Sequence, residues 1–352
     1  MRALTLVPGQ LDSLSVTTVP QPEPGPGELL VEGLAVGVCG IDREIVSGAY
    51  GWAPAGEERL VLGHESLGRV TAAPEDSGFD PGDLVVGVAR QPDPQPCGAC
   101  ARGESDMCRT GRYAERGVKL RHGYGSQLWT VEADHAVRID PRLESVGVLL
   151  EPAAVAAKAW EQIDRVTARA WFEPRTVLVA GAGPTGLLAA LLGRQRGLDV
   201  HVLDQVGTGV KPRLVAGLGA THHCAPLTEV AAKLRPDIVI EATGDAALAL
   251  DAVESAEPAA TVCLIGSSAA GVRTVPLDAG AAGRSLVLEN EVVLRTVSAN
   301  RRHFLLAADA LAEAGPGWLE RLITRRFPLK QALDAFEPAD GSDVKIVIEL
   351  NP

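Results

Sequence analysis

The 352-residue sequence has little positive charge and no long apolar run. It contains 33 Lys and Arg against 45 Asp and Glu, a formal net charge of −12. This balance argues against a protein of duplex nucleic acid or anionic membranes, since both need a basic face. No apolar stretch approaches the roughly 18 residues of a membrane-spanning helix, and the first residues do not follow the pattern of a signal peptide. We therefore expect a cytoplasmic protein with no nucleic-acid or membrane partner.

Cysteine and aromatic residues are also scarce. Six cysteines are too few for a disulfide scaffold in a chain of this length, and only 4% of the residues are aromatic. Hydrophobic residues still make up 46%, so we expect cores of Ala, Val and Leu in about two domains, at roughly 150 residues per domain. Three cysteines cluster at Cys97, Cys100 and Cys108, which indicates metal binding in a reducing compartment.

Two sequence patterns divide the chain. Up to about residue 140, short apolar segments alternate with Pro and Gly, which predicts a mostly β domain. From Thr176 onward, strand patterns alternate with helical patterns, which predicts a doubly wound parallel sheet and an α/β fold class. The segment VKIVIEL at 344–350 has the pattern of an alternating strand, and we expect it to return and pair with the first domain.

A glycine-rich turn follows the predicted strand Thr176–Ala180. Gly181, Gly183 and Gly186 form G-A-G-P-T-G; they allow a tight turn, close approach of a pyrophosphate and close packing of the next helix, which Pro184 and Thr185 begin. An acidic residue, Asp204, ends the following strand and would bind the ribose hydroxyls of NAD. Lys211 and Arg213 lie shortly after it and leave NADP open as an alternative.

Two sets of residues have the chemistry of zinc ligands. Cys97, Cys100 and Cys108 have the spacing C-x2-C-x7-C, and a closed structural site needs a fourth ligand, for which Asp93 is the best candidate. The second set is spread along the chain, so its spacing alone does not reveal it, and the resemblance described below is what joins its members. Thiol, imidazole and carboxylate together suit a catalytic zinc with an open position. The members of this second set are Cys39, His64, Glu65 and Glu151.

In this order, the motifs resemble the zinc-dependent medium-chain dehydrogenase/reductase superfamily, over nearly the whole chain. In finer detail they are most similar to its glucose dehydrogenase branch. The stretches that carry the finer resemblance are GVCGIDREIVSGAYG, ERLVLGHESLGRV, CGACARGESDMCRTGRYAERGV, HGYGS, LLEPAAVAAKAWEQI and NRRHF.

The resemblance implies two domains and two zinc ions. A GroES-like, mostly β domain would comprise residues 1–155 with 305–352, and a Rossmann domain would comprise residues 156–304. Cys39 and His64 would bind the catalytic zinc, with Glu65 and Glu151 supplying carboxylates in or beside its ligand shell. The lobe at 93–108 would hold a structural zinc, although the first of the four cysteines common in the family falls here at Pro94.

The resemblance also implies a reaction. Hydride would pass from a sugar or polyol hydroxyl to NAD, or to NADP, with glucose as the leading substrate and a lactone as product. Glu115 and Asn300 are candidates for substrate contacts, and His303 lies nearby. Further cofactor contacts are expected at Pro184, Thr185, Lys211, Thr243, Gly266 and Ser298. Relatives are dimers or tetramers, so a homo-oligomer is expected.

Three positions depart from the family pattern. Ile41 replaces a Thr or Ser whose hydroxyl relays the substrate proton, Ser298 replaces an Asn, and Val155 replaces an acidic residue. Two alternatives therefore stay open. One is a dehydrogenase of a polyol, cyclitol, aminosugar or otherwise modified sugar in a biosynthetic pathway. The other is a non-redox activity or binding role that uses the same fold.

Overall fold

The structure is a computed structural model that describes residues 1–266, 280, 287–337 and 341–351. It divides into two compact units. The first consists of Met1–Ala154, Ser298–Ala339 and Lys345–Pro352, and the second of Val155–Val297 and Asp340–Val344. The domain bounds expected from the sequence, 1–155 with 305–352 and 156–304, stay a prediction. Within the described residues, no helix combines the length and apolarity that crossing a bilayer requires.

The first unit is mostly β, as predicted. Its central sheet has seven strands: six follow the order β11-β6-β5-β3-β19-β18, and β10 pairs with the first part of β3, Glu28–Glu32. Two three-stranded sheets, β2-β1-β4 and β7-β8-β9, accompany it. The strands are β1 (Arg2–Leu6), β2 (Ser15–Thr18), β3 (Glu28–Val38), β4 (Leu60–Val61), β5 (Glu65–Ala72), β6 (Leu84–Gly87), β7 (Arg90–Gln91), β8 (Ala114–Arg116), β9 (Leu120–Arg121), β10 (Leu128–Glu132), β11 (Ala136–Arg138), β18 (Ile323–Pro328) and β19 (Lys345–Glu349).

The returning terminal strand is confirmed. β19 pairs antiparallel with β3, placing Ile346 opposite Val38, and parallel with β18. The predicted alternation of this strand is wrong, because Lys345, Ile346, Val347 and Ile348 are all buried. The physical reason is that both faces of the strand are covered: Ile346 and Ile348 pack in an apolar core cluster, while Lys345 on the opposite face pairs with buried Glu65.

Helices in the first unit are few. The short α1 (Gly40–Val46) starts directly after β3, and α2 (Leu150–Thr167) begins at the end of this unit and continues into the second. After residue 298 follow α7 (Arg301–Ala314) and α8 (Pro316–Leu319). Asn300 caps α7 by accepting a hydrogen bond from the Arg302 backbone N–H at 3.0 Å, the role that Asn favours at helix N-termini.

The second unit contains the predicted parallel sheet. Its strand order is β14-β13-β12-β15-β16-β17, and all five pairings are parallel. This is the order of a doubly wound dinucleotide-binding fold, in which the order reverses beside the first strand. The elements are β12 (Thr176–Ala180), α3 (Pro184–Gln195), β13 (Asp199–Leu203), α4 (Val210–Gly217), β14 (Thr221–His223), α5 (Leu227–Leu234), β15 (Ile238–Glu241), α6 (Ala246–Glu254), β16 (Thr261–Leu264) and β17 (Val292–Arg295).

Candidate active site and metal sites

The fold brings Cys39, His64 and Glu65 together although 24 residues separate the first two. Cys39 has extended backbone and caps α1, while Glu65 is the first residue of β5. The Cys39 sulfur lies 3.2 Å from Nε2 of His64. One ligand atom from each of the three residues lies within 4.8 Å of the other two. Thiolate, imidazole and carboxylate are the ligands that zinc prefers in proteins, so this donor set, with His64 and Glu65 buried and Cys39 half-buried, fits a zinc ion.

Asp42 supports two of these residues. One carboxylate oxygen accepts a hydrogen bond from the Cys39 backbone N–H at 2.9 Å, and the other lies 3.3 Å from Nδ1 of His64. Burial alone would lower the pKa of His64, but Cys39 and Asp42 raise it well above its ordinary value. A carboxylate behind a histidine ligand orients the ring and leaves Nε2 for the metal. Asp42 was not predicted from the sequence, although it stands in the same C-G-I-D motif as Cys39.

A buried lysine pairs with Glu65. Lys345 on β19 places its Nζ 2.7 and 2.6 Å from the two Glu65 oxygens, and also donates to the Val38 carbonyl at 3.2 Å. The Lys345 side chain is 0% exposed. Burial alone would lower the pKa of Lys345, but Glu65 and then Cys39 raise it. Lys345 was not predicted from the sequence either, and the only signal for it was a single Lys inside an otherwise apolar strand.

Glu151, the fourth expected ligand, lies on the first turn of α2. Its carboxyl is buried, and burial raises its pKa to about 7 against the opposing charge of His64. It does not join the group of ligand atoms within 4.8 Å of one another. The structure therefore places Glu151 in the electrostatic neighbourhood of His64, and its role as a ligand stays a prediction.

Glu115 lies in a second polar cluster of the first unit. It faces Arg90 across the antiparallel pair of β7 and β8, with two contacts of 3.3 Å between guanidinium and carboxylate. The Arg90 guanidinium also stacks over the Tyr113 ring at 4.0 Å, and Ser298 Oγ donates to Glu115 at 3.4 Å. Burial alone would lower the pKa of Arg90, but Glu115 raises it. This buried cluster offers both a hydrogen-bond acceptor and donors, as recognition of a hydroxyl-rich ligand requires.

Two other predicted substrate residues have different surroundings. Asn300 is buried, and its amide Nδ2 donates to Asp106 at 2.8 Å while its Oδ1 caps α7. Ile41 packs against an apolar core cluster. The predicted cofactor residue Ser298 has a left-handed backbone, with φ of 58°, and contacts Glu115. The roles of all three stay predictions.

The glycine-rich turn of the second unit has the geometry expected for a phosphate-binding turn. Gly181 has φ of 108°, which side chains rarely allow, and a methyl group at Gly186 would lie 2.0 Å from the Gly181 carbonyl oxygen. In contrast, a methyl group at Gly183 would meet nothing within 4 Å. Gly183 precedes α3, whose first residues are Pro184 and Thr185. Open space in front of a helix N-terminus is what an approaching pyrophosphate needs.

Asp204 follows β13 and forms hydrogen bonds with the backbone of this turn. Its oxygens accept hydrogen bonds from the backbone N–H groups of Ala182 at 2.8 Å and Val206 at 2.9 Å, and Lys211 lies 3.2 Å away. Thr243 and Gly266 follow β15 and β16, so they also lie at the carboxyl ends of the parallel strands, where such sheets bind ligands. The predicted cofactor residues of the second unit thus share one edge of its sheet.

The three clustered cysteines also converge. The sulfur atoms of Cys97, Cys100 and Cys108 all lie within 4.8 Å of one another, and those of Cys97 and Cys100 are 3.7 Å apart. The backbone N–H groups of Cys100 and Arg109 point at the Cys97 sulfur and lower its pKa to about 6. Cys97 therefore favours the thiolate, the form that binds zinc, whereas burial raises the pKa of Cys100. Asp93, the expected fourth ligand, does not join the group of three cysteines.

Comparison with known proteins explains this combination of two units. Residues 25–141 match the family model of the alcohol dehydrogenase GroES-like domain, and residues 144–350 match the model of the glucose dehydrogenase C-terminus. The chain belongs to the zinc-dependent medium-chain dehydrogenase/reductase superfamily. The predicted fold class of this dehydrogenase, a GroES-like domain with a Rossmann sheet, is confirmed.

Individual relatives extend over the full length of this dehydrogenase. It is 38% identical to a glucose 1-dehydrogenase of Methanocella arvoryzae and 36% identical to one of Thermoproteus tenax, in both cases over 99% of each chain. Among solved structures, it is similar to Haloferax mediterranei glucose dehydrogenase in complex with NADP, Zn and gluconolactone. That similarity has a TM-score of 0.91 at 31% identity and covers 100% of both chains. The expected resemblance to the glucose dehydrogenase branch is confirmed.

Proposed function

We propose that this dehydrogenase oxidises the C1 hydroxyl of D-glucose to a lactone and reduces NAD(P). The observation that carries the proposal is the buried group of Cys39, His64 and Glu65, in a chain similar over its full length to glucose 1-dehydrogenases. The reaction converts aldose and NAD(P)+ into lactone, NAD(P)H and one proton. When bound, zinc supplies Lewis-acid stabilisation of the substrate oxygen, and the nicotinamide supplies the hydride acceptor.

Each residue has a proposed task. Cys39 and His64 hold the zinc, Asp42 orients the His64 ring, and Lys345 holds the Glu65 carboxylate in place beside them. Glu151 completes the ligand set.

Substrate recognition is proposed at the second polar cluster. Glu115 accepts a hydrogen bond from a sugar hydroxyl while Arg90 holds its carboxylate in place. Asn300 positions the start of α7, which follows Ser298.

Cofactor choice is proposed from Asp204. Its carboxylate faces the glycine-rich turn, where it binds the ribose hydroxyls of NAD and repels a 2′-phosphate. Lys211 lies beside Asp204, and its positive charge reduces the repulsion of a 2′-phosphate. We therefore propose NAD as the preferred cofactor, with NADP accepted more weakly. The Haloferax relative was solved with NADP, so both belong in the assay.

We also propose a cytoplasmic homodimer or homotetramer. Its six cysteines are free thiols in the structure, in agreement with a reducing compartment. Light scattering after gel filtration measures the oligomeric state directly. A monomeric mass at assay concentration would contradict the proposal.

One second substrate class is favoured by a particular residue. Ile41 carries no hydroxyl for a proton relay, which suits a substrate other than glucose, such as a polyol, cyclitol or aminosugar. The test is a panel of aldoses, inositols, aminosugars and simple alcohols with zinc-loaded protein, following NADH and NADPH absorbance. Highest kcat/KM on D-glucose supports the main proposal. Activity confined to another class transfers the assignment to that class, and zinc and NAD binding without any turnover would favour a non-redox role.

A further inference from the structure

The three-cysteine lobe differs from a closed structural zinc site. Cys97, Cys100 and Cys108 form a ligand group to which the described part of the chain adds no fourth Cys, His, Asp or Glu atom within 4.8 Å of all three sulfurs. Structural zinc sites in proteins are almost always closed by four protein ligands, whereas three protein ligands leave a position for water or another small ligand. The lobe therefore has the ligand count of an open site.

The sulfur atoms are already spaced for a metal. At a Zn–S distance of about 2.3 Å, tetrahedral geometry separates two thiolates by about 3.8 Å. The Cys97 and Cys100 sulfurs are 3.7 Å apart. Backbone N–H groups aim at the sulfurs, from Arg109 to Cys97 and from Gly111 to Cys108. The Cys97 and Cys100 sulfurs thus have the separation of two zinc ligands, and the Cys108 sulfur lies within 4.8 Å of both.

Asp93, the residue expected to close the site, is engaged elsewhere. One of its oxygens accepts from the Gln95 backbone N–H at 2.9 Å. The other accepts from the Thr110 hydroxyl at 2.7 Å and from Arg112 Nε at 3.0 Å. Thr110 Oγ1 in turn lies 3.2 Å from the Cys108 sulfur. Asp93 thereby holds the Thr110 hydroxyl oxygen beside the Cys108 sulfur, as carboxylates beside ligand shells position their neighbours.

We propose that the lobe binds zinc through the three thiolates alone, with an exchangeable fourth ligand. Asp93 is a positioning residue that acts through Thr110. The open position takes a small neutral or anionic ligand, such as water, imidazole or a thiol. This inference does not depend on which substrate the dehydrogenase oxidises.

Zinc content provides the first test. Metal analysis of the purified holoenzyme should give two zinc ions per chain for wild type and for Asp93→Asn, and one for Cys97→Ser. Competition with a chromophoric chelator should show zinc affinity of the lobe about tenfold lower in both Asp93→Asn and Thr110→Val, the loss expected for a residue beside the ligand shell. Loss of one zinc in Asp93→Asn, or absence of zinc from the wild-type lobe, would overturn the proposal.

Cobalt spectroscopy tests the open position. In the Cys39→Ser variant, cobalt occupies the lobe, and its visible spectrum should shift on addition of 2-mercaptoethanol. The shift should be equal in the double variant that also carries Asp93→Asn. A shift only after Asp93→Asn would show that Asp93 occupies the position and would overturn the proposal. If Cys39→Ser fails to fold, the difference spectrum between cobalt-loaded wild type and Cys97→Ser supplies the same comparison.

Discussion

Lys345 is a fully buried cation whose charge is balanced by Glu65. Both carboxylate oxygens contact its Nζ, and Glu65 is itself only 2% exposed. Bringing two charges out of water is costly, and their attraction roughly offsets that cost only while both are present. The pair is therefore a weak source of stability but a strong constraint on sequence, because removal of one partner leaves an uncompensated buried charge.

Replacing Lys345 by Met should lower the free energy of unfolding by about 3–5 kcal/mol, since Glu65 is left buried without its cation. Urea unfolding followed by fluorescence measures the change. Lys330→Met is the matched control, because Lys330 is exposed, and it should change stability by less than about 0.5 kcal/mol. Equal stability of the two variants would refute an electrostatic role for Lys345.

Ile41 stands where the family carries a hydroxyl. Restoring it by Ile41→Thr should raise kcat on glucose by about tenfold or more, since positioned proton transfer contributes about 10²–10⁴ in rate. Ile41→Val keeps the β-branch without a hydroxyl and is the control. Steady-state NADH formation measures both. Equal kcat for the Thr and Val variants, with zinc and NAD still bound, would count against a relay through this position.

Among the elements, the turn between β12 and α3 contains glycines with two different functions: close packing of the helix against the turn and access for the cofactor. A methyl group at Gly186 would clash with the Gly181 carbonyl, whereas one at Gly183 would enter open space. Gly186 is thus required for packing, whereas Gly183 leaves space for the cofactor. The sequence predicted this turn well, because its determinants lie within a few consecutive residues.

Gly186→Ala should reduce stability by about 1–3 kcal/mol through overpacking and also weaken NAD binding. Gly183→Ala should weaken NAD binding at least tenfold while stability stays within about 1 kcal/mol of wild type. Calorimetry of NAD binding beside thermal unfolding distinguishes the two effects. Tight NAD binding by Gly183→Ala would show that no pyrophosphate approaches this residue.

Elements that depend on distant partners were predicted less well. The pairing of β19 with the first unit was expected, but its alternation was not found, because residues distant in sequence cover both of its faces. Arg90 was overlooked because its partner, Glu115, is 25 residues away on another strand. Local patterns specify the type of an element, whereas its neighbours decide which of its faces are buried.

At the scale of the whole molecule, the family motifs predicted the fold and most of the metal-ligand candidates. They could not supply the partners that the fold joins over long distances, such as Lys345 and Glu65, which are 280 residues apart. Asp42 could have been found, because it lies three residues after Cys39. For the three-cysteine lobe, the spacing of the cysteines indicated a metal site. It did not predict that Asp93 would accept hydrogen bonds from Thr110 and Arg112.

Metal-free protein should lose stability as the pH rises from about 5 to 8. Burial raises the pKa of Glu151 from 4.5 to about 7, so the folded state binds its proton more tightly than the unfolded state. The stabilisation from protonated Glu151 is fully present below its unfolded pKa of 4.5 and is lost as the pH rises through 7. The loss in the free energy of unfolding is on the order of 3 kcal/mol. His64, whose pKa is also raised, contributes in the same direction, above its unfolded value of 6.5.

Urea unfolding of chelator-treated protein at pH 5 and pH 8 measures this loss. Glu151→Gln should shrink the difference by about 3 kcal/mol, and Glu173→Gln, at an exposed position, should leave it unchanged. The same pH dependence in wild type and Glu151→Gln would show that Glu151 is not the group responsible.

Zinc-dependent oxidation of glucose is tested most directly by glucose-dependent NADH formation by zinc-loaded wild type and by Cys39→Ser, with lactone measured in parallel. We predict NADH and lactone in equal amounts for wild type. For Cys39→Ser we predict a rate lower by about 10³-fold or more, the size of several kcal/mol of lost metal stabilisation. Equal rates for the two proteins, or no glucose oxidation by zinc-loaded wild type, would contradict the proposal that this dehydrogenase oxidises glucose with a zinc ion bound at Cys39.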